Sequence, residues 1–139
     1  MPYWLVKSEP EEYSFTDLLR DKRAIWDGVR NPQAQAYLRQ MQIGDFILYY
    51  HSGKERAIVG LAKVSRAAFP EPTDSRYVAV EIEAVSPFVH KITLAAIRAA
   101  KEFDETPLLR QPRLSVMPVS IELWEWIMRH SSSEKEKLE

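Results

Sequence analysis

The chain has 139 residues, 45% of them hydrophobic and 28% charged, with 19 basic against 20 acidic side chains and a formal net charge of -1. That length and balance fit one globular domain, and exclude both a disordered chain and a generally basic nucleic-acid-binding protein; any anion-binding surface must be a local one. No cysteine is present, which excludes disulfides, thiolate zinc sites and a thiol nucleophile, and His51, His90 and His130 have no metal-ligand spacing.

The N-terminal "MPYWLVKSEP" lacks a signal-peptide pattern and no apolar run reaches the length of a membrane span, so a soluble cytoplasmic protein is expected. "YWLVKS" (3–8) is aromatic and β-branched and is stopped by "EP"; it reads as a strand. "YSFTDLLRD" (13–21) carries a helix start, with Ser14 and Asp17 spaced as a capping box and Tyr13 and Leu18 as a hydrophobic staple. Residues 24–31, "AIWDGVRN", turn the chain. In "NPQAQAYLRQM", Asn31 is placed as an N-cap and Pro32 at the first helical position, and Ala34, Tyr37, Leu38 and Met41 share one face.

"DFILYYH" (45–51) and "AIVGLAKV" (57–64) read as strands of a hairpin joined by "SGKER", with Gly60 marking a bulge or a close approach by backbone or ligand. "YVAVEIEAV" (77–85) alternates, Val78, Val80 and Ile82 inward and Glu81 and Glu83 outward. "TLAAIRAAK" (93–101) is a short helix capped by Thr93, residues 113–119 are a late strand, and "SIELWEWIMRH" (120–130) is a closing helix. The polar "SSSEKEKLE" (131–139) reads as a frayed tail, its final "LE" resembling a cloning remnant. One domain over residues 1–130 is expected, an α+β fold in which a small twisted sheet or barrel carries helices on it.

Three strand ends have a similar polar make: Lys7-Ser8, His51-Ser52 and Arg113-x-Ser115. Each alone is an ordinary solvated strand end. Residue type alone favours core packing for Trp26, but its neighbours add to that. Asp27-Gly28 is a turn signal whose glycine lets the backbone approach a ligand, and Arg30 with the amides after Asn31 offers charge and N–H donors for an anion. An aromatic plate beside an anion site suits a nucleotide. No nucleophile elbow, phosphate loop or dinucleotide fingerprint is present, and His51 and Ser52, adjacent on a strand, point to opposite faces.

"YWLVKSEPEEYSFTDL", "WDGVRNPQAQAYLRQMQIGDFILYYHS", "IVGLAKV", "FPEPT" and "RLSVMPVS", in this order from Pro2 to about His130, resemble the EVE domain family. The resemblance implies a PUA-like fold, a small antiparallel or mixed β-barrel flanked by helices, akin to YTH and ASCH domains. It implies binding of a modified base, cytosine or adenine, in DNA or RNA, without catalysis, cofactor or metal, by a protein expected to be a monomer. The pocket it implies takes Lys7 and Ser8; Trp26, Gly28, Val29, Arg30 and Asn31; Tyr50, His51 and Ser52; and Leu114 and Ser115. Trp26 would be the aromatic wall, Phe69 a second aromatic closing the cage, and Arg30 a phosphate contact. "NPQAQAYLR" has proline and glutamine where many relatives carry arginine or asparagine, which implies weaker phosphate contacts. The alternative is an ASCH-like amidohydrolase of acylated nucleosides using Lys7, Ser8 and Glu9; adjacent positions weigh against their converging on one atom. A protein-interaction module would need an exposed apolar patch, and "LWEWIM", the one candidate, is explained by helix burial.

Overall fold

The computed structural model describes residues 2–132. Trp4, Leu5 and Val6 are all buried, an unbroken apolar run that requires cover on both sides, and Tyr3–Ser8 accordingly forms a central strand, β1. Four elements follow before the next central strand: the short helices α1 (Pro10–Tyr13) and α2 (Phe15–Asp21), the strand β2 (Arg23–Trp26) and the helix α3 (Pro32–Gln40). They form a crossover long enough for β3 (Phe46–His51) to pair parallel to β1, Tyr3 opposite Phe46 and Ser8 opposite His51. The expected hairpin then forms, β3 antiparallel to β4 (Ala57–Glu71), and β4 turns into β5 (Asp74–Thr93). The chain closes with α4 (Leu94–Ala100), α5 (Pro107–Arg110), β6 (Val116–Val119) and α6 (Ile121–Ser131).

The six strands form one mixed sheet in the order β2-β5-β4-β3-β1-β6. The expected barrel is therefore corrected: β2 and β6 are edges, paired to β5 and β1 and not to each other. The sheet nevertheless curls. The β4–β5 ladder breaks register repeatedly, from Ile58/Gly60 to Pro70/Glu71, and each bulge adds bend and twist. As a result the Trp26 ring on β2 lies 5.5 Å from that of Tyr49 on β3, although two strands separate them in the sheet.

The local signals act as the residues dictate. Ser14 and Asp17 form the capping box of α2, Asn31 caps α3, and Thr93 and Ser120 cap α4 and α6. Ala34, Leu38 and Met41 are buried along α3 with Tyr37 partly so. Gly60 sits at a bulge, and the group that approaches it is a side chain of the core: a Cβ there would lie 2.5 Å from the Phe15 ring. Helices α2 and α3 pack on β5, and α6 also packs on β5. The core runs through Leu5, Leu18, Leu38, Ile58, Ile82 and Ile127, all fully buried. Strands β4 and β5 run further than the alternation of 57–64 and 77–85 indicates, because the bulges carry pairing through "RAAFPE" and "SPFVH". β6 is shorter than 113–119: the amide of Leu114 donates to the Gln111 carbonyl in a turn, and pairing begins at Val116. Ser131 belongs to α6, and residues 133–139 of the expected tail lie outside the described residues. Among the described residues no helix is long and apolar enough to cross a membrane.

Candidate functional site

Parallel pairing of β1 with β3 puts their C-terminal ends side by side, and antiparallel pairing of β6 with β1 starts β6 at that same end. This is why three polar strand ends far apart in sequence meet. The Ser52 amide donates to the Ser8 carbonyl at 3.0 Å and the Lys7 amide to the Ser115 carbonyl at 3.0 Å. Curling brings β2 and the segment after it across from them. Between the two lies a cleft of about 670 Å³ lined by Lys7, Ser8, Ser52, Arg113 and Ser115 on one side and by Trp26 to Arg30 on the other, with Glu9, Glu12 and Tyr13 at its margin. Its volume lies within the range of about 300–1,000 Å³ usual for small-ligand sites.

Eight of the thirteen residues assigned from sequence line this cleft: Lys7, Ser8, Trp26, Gly28, Val29, Arg30, Ser52 and Ser115. Trp26 is the last residue of β2, paired with Val80, and its half-buried ring stands edge-on to Tyr49. Gly28 has φ +78°, and a Cβ there would meet nothing within 4 Å; the backbone angle, not crowding, requires glycine.

The other five are placed differently. Leu114 and Tyr50 are buried in the core. Phe69 pairs with Ala79 on the β4–β5 ladder, its ring covered by the Arg66 guanidinium at 3.9 Å, and is not part of the cleft wall; the second aromatic that lines the cleft is Tyr13. His51 turns away from the cleft, as alternation requires. Its Nε2 accepts from the Phe15 amide at 3.0 Å, so the ring proton sits on Nδ1 and donates to Glu55 at 2.7 Å. It therefore anchors the start of α2. Asn31 is used up as a cap: its Oδ1 accepts from the amides of Gln33 and Ala34 at 2.8 and 3.0 Å, which leaves no anion-binding nest at the start of α3.

Arg30, expected to meet a phosphate, is held by a carboxylate of the protein. Its guanidinium forms a two-pronged pair with the buried Glu71 carboxylate, both bonds 2.8 Å, and lies over the Tyr77 ring at 4.1 Å. Glu71 also accepts from the Gly28 amide and the Thr73 hydroxyl. These donors, Arg30 first, hold the Glu71 carboxyl down at about 2. A second buried anchor is Gln35, whose Nε2 donates to the carbonyls of Val29 and Val78 while its Oε1 accepts from the Val78 amide. Sequence reading missed both. A glutamine on the apolar side of α3, one turn after a glycine turn, is the signal that could have found Gln35; nothing local marks Glu71, 41 positions from Arg30.

Lys7, Ser8, Tyr49 and Tyr13 are engaged as well. Lys7 donates to the Pro112 carbonyl at 3.0 Å and sits 5.4 Å from the centre of the Tyr50 ring, and partial burial lowers its pKa. The Ser8 hydroxyl donates to the Glu9 carbonyl at 3.4 Å. Tyr49, raised in pKa chiefly by burial, donates to the Tyr13 carbonyl at 2.7 Å. Tyr13 in turn donates to Asp21 at 2.7 Å. No group of three or more His, Asp or Glu side chains among the described residues could hold a metal ion.

The EVE domain model matches residues 2–130. The chain belongs to the EVE domain family. Mouse thymocyte nuclear protein 1 is 30% identical to it, over 95% of this chain and 74% of that protein. Among solved structures, a Rhodopseudomonas palustris protein superimposes with TM-score 0.91 at 38% identity, covering 95% of this EVE domain and 94% of that chain. The human THYN1 protein, solved in complex with 5-methylcytosine-containing DNA, superimposes with TM-score 0.87 at 26% identity, covering 94% and 98%. A Zygosaccharomyces rouxii YTH domain shares the fold, with TM-score 0.60 at 12% identity over 94% of this chain and 86% of that one.

Proposed function

We propose that this EVE domain is a reader of a modified nucleobase, cytosine before adenine, which it takes extruded or single-stranded into the cleft and releases unchanged. The observation that carries the reading is the Trp26 ring standing in the wall of a cleft whose facing side is made of strand-end donors, Lys7, Ser8, Ser52 and Ser115. A flat ring against tryptophan gains stacking, and hydroxyl and ammonium groups opposite it can discriminate base edges. The base must leave its stack, because a wall of this kind cannot reach a base inside a duplex. The human relative's complex with 5-methylcytosine-containing DNA supports cytosine as the first base to try.

The engagement of Lys7 and Ser8 with main-chain carbonyls supports binding over nucleophilic attack. The test is a calorimetric titration of the protein with short single-stranded DNA and RNA carrying 5-methylcytosine, N6-methyladenine or neither. Tighter binding of one modified strand than of its unmodified counterpart is expected, and equal affinity for all would contradict the reading. Parallel incubation with acylated cytidine should return it intact; deacylation that disappears in Lys7→Ala would contradict the non-catalytic part.

A further inference from the structure

The charge around the cleft is lopsided in a way that the base-reading proposal does not use. Five of the eleven arginines among the described residues are matched to carboxylates: Arg20 to Asp17 and Asp21, Arg23 to Glu81 and Glu83, Arg30 to Glu71, Arg76 to Asp74, and Arg110 to Glu105. Along one side of the cleft no such match is made among the described residues. Lys7 and Arg113 line that side, Lys7 bonded to a carbonyl and Arg113 exposed. Lys7 pairs in register with Tyr50 and lies over its ring.

Beyond Tyr50 come two more exposed cations. The Arg56 carbonyl accepts from the Leu94 amide at 2.8 Å, which fixes the end of the β3–β4 loop against the start of α4. Arg98 stands four residues after Leu94, on the same face of α4. Tyr50 feels the positive field of both arginines. Among the described residues neither forms an ion pair; Arg56 donates only to the Gly53 carbonyl. On the other side of the cleft Asp27 lines the wall and the one arginine, Arg30, is neutralised by Glu71, while Glu9 and Glu12 stand at the margin.

We propose that Arg113, Arg56 and Arg98 form a track for the sugar–phosphate backbone of a nucleic-acid strand, which leaves the cleft past Lys7 and the end of β3 toward α4 and not past Arg30 and the start of α3. The proposal rests on the cleft receiving a base of that strand. Phosphates are drawn to uncompensated cations and repelled by carboxylates, so a strand whose base enters the cleft is drawn out along these cations. Arg56 and Arg98 lie outside the cleft wall, so they touch the strand and not the base.

The test uses Arg56→Gln/Arg98→Gln, with Arg98→Gln alone as a variant that breaks no hydrogen bond of the β3–β4 loop. Arg39→Gln/Arg129→Gln removes equal charge from the last turns of α3 and α6. Binding of an unmodified mixed-sequence single-stranded oligonucleotide is measured against salt. The track predicts that the log–log slope falls by about 1.4 in the double variant and by about 0.7 in Arg98→Gln, at about 0.7 per lost phosphate contact, and stays unchanged in the control. A slope equal to wild type in Arg56→Gln/Arg98→Gln, an equal fall in the control, or no salt dependence in wild type would overturn it. A modified nucleoside, which carries no phosphate, is titrated alongside. Its failure to bind, with the slopes as predicted, would remove the base-reading proposal and leave the track standing.

Discussion

Glu71 is the residue on which the cleft's loop turns. One carboxylate receives the Gly28 amide, both prongs of Arg30 and the Thr73 hydroxyl, and so ties the residues after Trp26 to the β4–β5 turn. Its carboxyl lies at about 2 in the folded protein against an ordinary 4.5. A depressed folded value means that the contribution is complete above the ordinary value and is lost as pH falls through it toward 2. Glu71→Gln should therefore be less stable than wild type at neutral pH, with the gap closing as pH falls from about 5 to about 3. Chemical denaturation of both proteins across that range measures it, and a gap independent of pH would contradict the assignment. Gln35 acts beside it through neutral bonds. Gln35→Ala leaves the Val29 carbonyl and the Val78 amide without their partner, and should cost about 1–3 kcal/mol in urea unfolding. A loss no larger than that of an exposed α3 glutamine such as Gln40 would argue that water replaces the amide.

At the scale of elements, the bulge at Gly60 couples β4 to α2. The Phe15 ring occupies the place a side chain would take, so Gly60→Ala should destabilise by about 1–3 kcal/mol through overpacking. In a Phe15→Leu background the same substitution should cost distinctly less; equal costs in the two backgrounds, measured by thermal unfolding, would show that the ring is not the obstacle. Elements with a local signature were legible: the capping box at Ser14, the Asn31-Pro32 start of α3, the bulge glycine, the hairpin after His51. Those that depend on a partner elsewhere were not. β2 has only four residues and exists because β5 accepts it. α5, four residues after a proline start, has no periodicity to read. Phe69 lies in a proline-bounded stretch that reads as a loop, while pairing across the bulges makes it part of β4.

Taken whole, the molecule is an open sheet whose curl makes its site. Polar strand ends from β1 and β3 and from the approach to β6 meet because β1 and β3 are parallel; Trp26 faces them because the bulged β4–β5 ladder swings β2 round. The composition of the cleft was largely legible in the sequence, but its electrostatics were not. Arg30 beside a helix start looks like an anion site until Glu71 and Asn31 are seen to use its donors, and that depends on contacts far apart in the chain. The claim on which the account rests is that a base stacks on Trp26. The direct measurement is the affinity of wild type and Trp26→Ala for the tightest-binding modified oligonucleotide, with circular dichroism showing that the variant is folded and Trp26→Phe as the conservative comparison. The account predicts a loss of about ten- to hundredfold in Trp26→Ala, corresponding to about 1–3 kcal/mol of stacking, and a smaller loss in Trp26→Phe. A folded Trp26→Ala that binds as tightly as wild type would contradict it.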